Sequence, residues 1–145
     1  MSDELFVPEE LAVGTELPAY EVRNISPDHI LLMALALRDP NPIHLDAQVV
    51  ESMNLGTRLI NQGGTSLAYI YNMLTEWAGS RAAVRRLASR FETNVFVGED
   101  VTARGVISAV CPEEGGFLVD CEIWLENSVG ARAISGSAAV FFKLR

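Results

Sequence analysis

Long apolar runs are missing from this chain. The longest unbroken one covers residues 30–37, and a membrane-spanning helix needs about 20 such residues. No membrane span is expected. Basic residues are scarce: 11 Lys and Arg stand against 19 Asp and Glu, a net charge of −8. That balance argues against a nucleic-acid surface or an anionic membrane as partner. Only Cys111 and Cys121 supply sulfhydryls, with no CxxC spacing and no histidine cluster beside them. A metal site is therefore not expected, and two buried or half-buried free thiols are. Internal repeats, low-complexity tracts and linkers rich in Pro, Gly or Ser are also lacking. The first ten residues are acidic and carry no basic segment followed by an apolar stretch, so no secretory signal is read and a cytoplasmic protein is expected.

What is present suits one globular domain over 1–145, with residues 1–12 as an arm. Apolar residues make up 49% of the chain, enough to build a core rather than stay disordered. Residues 18–24 suit a short first strand. Ser26 is a good N-cap and Pro27 fits the first helical position, so a helix is expected over 27–38. Asp39-Pro40-Asn41-Pro42 stops it, since each proline disfavours helical geometry at the residue before it. A short helix is expected over 46–53. Residues 61–64 read as a flexible turn. A long helix over 65–78 follows, with Leu67, Ile70, Tyr71, Leu74 and Ala78 at helical spacing and Gly79 as its stop.

The period then changes from 3.6 to 2. Leu87, Phe91, Val95 and Val97 share one parity; Val101, Ala103, Ile107 and Ala109 form a second run. Phe117, Val119, Cys121, Ile123 and Leu125 form a third, and Ile134, Ala138, Val140, Phe142 and Leu144 a fourth. Gly98-Glu99-Asp100, Glu114-Gly115-Gly116 and residues 127–130 are turn signals between them. The pattern predicts an α+β fold in which the helical first half covers one face of an antiparallel sheet.

Chemistry concentrates between residues 36 and 46. Asp39 and His44 lie five residues apart across a loop that two prolines stiffen, so both side chains can be held in one geometry at low entropic cost. A carboxylate and an imidazole that share one water can take a proton from it and return one elsewhere. Asn41 suits loop stabilisation or orientation of that water. Gly63-Gly64 precede the long helix and offer free backbone N–H groups, without side chains in the way, to a developing oxyanion. Arg81, Arg85, Arg86 and Arg90 form a local basic patch despite the net charge. Taken singly, each feature has a plain structural reading: a turn, a packed histidine, a loop, solvated arginines.

Taken in order, the segment resembles the hydratase signature of the MaoC-like family, the (R)-specific enoyl-CoA hydratases and related dehydratases. That signature, Asp-x-Asn-Pro-(aliphatic)-His, is matched by Asp39-Pro40-Asn41-Pro42-Ile43-His44. Residues 91–103 resemble the family's strand entering a Gly-Asp turn, a feature shared by many hotdog proteins. The resemblance implies a hotdog fold, a curved antiparallel sheet wrapped around a central helix. It also implies a dimer or higher homo-oligomer and an acyl-CoA substrate, with no cofactor. It implies Asp39 and His44 as the catalytic pair, Asn41 beside them, and a backbone amide near Gly63 as oxyanion donor. Gln62, Gly64, Arg85, Arg86 and Arg90 are the expected substrate contacts, the arginines for the CoA phosphates. Two departures bear on substrate shape: Leu37-Arg38 precede Asp39 where the family has Ser/Thr-Gly, and Gln62-Gly63-Gly64 replace His-Gly-Met. Residues 75–79 resemble small MaoC-like subunits of actinobacterial steroid side-chain degradation, which implies a bulky acyl group and a heteromer with a second hotdog subunit. A hotdog thioesterase and a non-catalytic partner subunit are the alternatives.

Overall fold

The computed structural model describes residues 9–143. Most of the expected arm lies outside them; of the rest, Leu11 is buried in the core. The chain then runs beside the sheet, with Gly14 N–H donating to Ile107 O and Leu17 N–H to Gly105 O. Strand β1 is Tyr20–Val22. Helix α1 is Pro27–Leu37; Ser26 Oγ accepts from Asp28 N–H, and Arg38 closes the helix in the left-handed region at φ 51°. A 3-10 turn covers Pro42–His44. Helix α2, Ala47–Ser52, is capped by the Asp46 carboxylate. Helix α3, Gly63–Ala78, ends at Gly79 with φ 71°.

Four longer strands follow: β2 Val84–Phe91, β3 Val101–Glu113, β4 Gly116–Glu126 and β5 Arg132–Lys143. All pairings are antiparallel, in the order β1-β3-β4-β5-β2. Register shifts at 84/86, 107/109 and 125/126 break the ladder locally, the kind of irregularity that bends a strand. The α3 helix packs against all five strands. Its Ile70, Met73 and Leu74 meet Val101, Ile107, Val119, Ile123 and Leu125 in one core. This is the hotdog arrangement.

Three expectations need correction. First, α3 begins at Gly63, not residue 65, so both glycines sit in its first turn. Second, the parity of residues 87–97 does not mark one strand. Glu92 and Thr93 N–H both turn to Ala133 O, and residues 95–97 pair instead with residues 59–61. The alternation is real but has two partners. Third, Cys111 is exposed, because β3 beyond its 107/109 irregularity carries no buried residue; Cys121 is buried as expected. The α1 helix buries only Ile30 and Ala34 and leaves Leu31, Leu32, Leu35 and Leu37 exposed. No described helix is long and apolar enough to cross a membrane.

Candidate active site

The end of α1 builds one wall of the site. Asp39 N–H donates to Ala34 O, which turns the chain away from the helix axis. Asp39 Oδ1 accepts from Asn41 N–H at 3.1 Å, and Asn41 Oδ1 accepts from Ile43 N–H at 3.3 Å. Asn41 thus caps the 3-10 turn that carries His44; its role here is to shape the loop. His44 is 6% exposed. Its Nδ1 lies 2.7 Å from Ile60 O. A carbonyl only accepts, so Nδ1 carries the proton. That turns Nε2 to Asp39 Oδ2, 3.2 Å away. The Asp39 side chain is 34% exposed. Carboxylate and imidazole are thus in direct contact.

The short pairing of residues 59–61 with 95–97 holds Ile60 O in place. Asn61 N–H donates to Val95 O at 2.7 Å and Val97 N–H to Leu59 O at 2.9 Å, while Ile60 N–H donates to Ile43 O. Beside His44 lies a cavity of about 350 Å3, lined by His44, Gly63, Asn61 and Ser66 and walled by Ile43, Phe91, Val95 and Ile134, among others; Asp39 is not in this lining. Gly63 is the first residue of α3, and Gln62 makes no side-chain cap, so the leading N–H groups keep their donor capacity. A Cβ at Gly63 would sit 3.2 Å from Phe91 Cε1; glycine allows that close approach.

The other expected contacts lie elsewhere. Gln62 is 1% exposed, and its Nε2 donates to Ile30 O at 2.8 Å. It ties α1 to the start of α3 rather than facing the cavity. Gly64 has open space around it and does not line the cavity. Arg85 stacks over Phe141, Arg86 faces Asp120 at 3.6 Å, and Arg90 faces Glu92 at 3.7 Å. None of the three arginines lines the cavity, although Glu92 does. Sequence reasoning missed Asn61 and Ser66, which fall within the expected turn and the expected long helix. No group of three or more His, Cys, Asp or Glu among the described residues could hold a metal ion.

Residues 9–114 match the MaoC-like domain. The chain belongs to that family. No curated protein sequence matches it, but solved structures do. One is the (R)-hydratase of A. caviae involved in PHA biosynthesis: 23% identity over 92% of this chain and 98% of that one, TM-score 0.78. Another is the R-hydratase PhaJ1 of Pseudomonas aeruginosa: 23% identity over 94% and 84%, TM-score 0.81. A third is from the ChsH1-ChsH2 complex of Mycobacterium tuberculosis: 21% identity over 91% and 98%, TM-score 0.77. At these identities the likeness carries the hotdog fold.

Proposed function

We propose that this MaoC-like chain adds water across the 2,3 double bond of an enoyl-CoA thioester, or removes it from the 3-hydroxyacyl-CoA. The observation that carries this is the Asp39–His44 contact, with Nδ1 locked on Ile60 O and His44 lining a cavity that Gly63 also lines. The pair holds a water; its oxygen bonds to Cβ as the π electrons move to the thioester oxygen. One water proton passes to the pair, the α3 N-terminus steadies the enolate, and one proton returns to Cα. Atoms balance, and no cofactor is required.

Arg85, Arg86 and Arg90 are proposed for the CoA phosphates, on a face outside the cavity. A bulky acyl group is part of the same proposal, as is assembly with a second copy or a second hotdog subunit. The thioesterase alternative lacks support in the geometry. Glu76, the one carboxylate of α3, is exposed near the end opposite Gly63.

The test follows absorbance of the conjugated thioester over a panel from crotonyl-CoA to steroid-derived enoyl-CoAs, with the purified chain alone. Loss of conjugation without free CoA supports hydration. Release of free thiol would favour the thioesterase, and inactivity until a second subunit is added would favour a partner subunit.

A further inference from the structure

His44 and the α3 N-terminus leave other polar groups of the cavity lining unused, Asn61 among them. Asn61 is 3% exposed and lines the cavity. Its Nδ2 donates to Ser66 Oγ at 2.9 Å and approaches Tyr69 O–H at 3.4 Å. Its Oδ1 is buried and has no partner among the described residues. Burial of an amide oxygen without a partner is unfavourable, so leucine would suit position 61 better unless something polar meets the amide; the lining there mixes Ile43, Ile60, Val95 and Ile134 with Glu92, Thr93 and Asn94. Burial also pushes the Tyr69 phenol up, and the Asn61 contact offsets this only in part. Tyr69 therefore stays a neutral partner that holds the amide.

We infer that Asn61, braced by Ser66, is a specificity residue that takes a hydroxyl group carried on the acyl chain beyond the reacting carbons. This rests on the enoyl-thioester reading above and names its substrate class. Position along α3 supports it. If the thioester oxygen meets the Gly63 amide, Ser66 and Tyr69 lie roughly 4.5 and 9 Å further along the axis at about 1.5 Å per residue. The amide held between them sits several bonds past the carbonyl, away from the carbon that receives water. A hydroxyl also suits the amide in either of its two orientations, because it both donates and accepts.

Saturated probes separate this from chemistry, since they have no double bond to hydrate. Hexanoyl-CoA and its 5- and 6-hydroxy derivatives are titrated calorimetrically into the wild-type protein and into the Asn61→Leu and Ser66→Ala variants, with circular dichroism of each variant. The expected result is at least one hydroxy probe bound about 10-fold tighter than hexanoyl-CoA by the wild type. Asn61→Leu should abolish or invert that preference, and Ser66→Ala, the milder change, should reduce it. Equal binding of all three probes by the wild type overturns the inference and leaves the thioester reading standing. A preference that survives in folded Asn61→Leu, or is untouched by Ser66→Ala if the first variant does not fold, overturns it as well. Binding of none overturns both.

Discussion

Asp39 and His44 are five residues apart in sequence and 3.2 Å apart at their nearest atoms, and the two prolines between them keep the loop short. Asp39→Asn and His44→Ala are each expected to lower kcat by about 10²–10⁴. If the pair acts on one water, as proposed, the double variant should lose little more than either single one. Steady-state kinetics on all three, with circular dichroism as folding control, checks this; a folded His44→Ala protein at near wild-type rate would sink the assignment. This part of the site was legible because its residues are neighbours along the chain. Asn61 and Ser66 were not, since their importance depends on burial and on a cavity that only the fold creates. The cysteines make the same point. Burial, and secondarily the Asp120 charge, push the Cys121 thiol up to about 12, while Cys111 is exposed. Alkylation of native protein near pH 8 should label Cys111 alone, and unfolding should release the second site. Mass spectrometry of the labelled peptides reads the result.

The helix starts do most of the positioning. Ser26, Asn41 and Asp46 each cap the element they precede; Ser26 reads as a cap from residue type alone, whereas Asn41 reads as a loop residue and Asp46 as part of its helix. The α3 start could not be read this way, because Gln62 looks like a loop residue until its amide is seen on Ile30 O. Gly63 and Gly64 now separate. A methyl at Gly64 meets nothing, and alanine suits a helix better than glycine by up to about 1 kcal/mol, so Gly64→Ala should raise the melting temperature. A methyl at Gly63 presses on Phe91 at the cavity wall; Gly63→Ala should lower kcat/KM whatever it does to stability. Melting curves paired with kinetics distinguish the two.

At the end of β4, the Trp124 indole N–H holds the Glu126 carboxyl below its usual range, and Arg104 and Arg132 add to this. The folded state thus favours the charged form. That stabilisation is complete above the ordinary carboxylate pKa and is lost as pH falls through the lower folded value. The melting-temperature gap between wild type and Glu126→Gln should persist at neutral pH and close only in that acid window.

For the whole molecule, alternation and turn residues made β3, β4 and β5 readable, whereas sheet order and the 95–97 detour depend on long-range pairing that no local pattern encodes. The family resemblance implies a dimer, and α3 cannot supply its interface, since it is spent on its own sheet. The surfaces left over are different: β2 pairs on one side only, with β5, and α1 exposes four leucines. A solution mass of twice the 15.8 kDa chain is expected, and sedimentation showing a monomer at micromolar concentration would contradict it. Four consecutive residues carry separate duties: Ile60 fixes the imidazole, Asn61 lines the cavity, Gln62 tethers the helix that leads to Asp39, and Gly63 opens α3 at the cavity wall. The first two belong to the brief pairing of 59–61 with 95–97, and the other two follow it directly in the chain. One local opening there would release every part of the site together, leaving no half-competent state. Deuterium uptake at the Asn61 and Val97 amides would then track the fraction of molecules unable to turn over, well before the sheet itself comes apart.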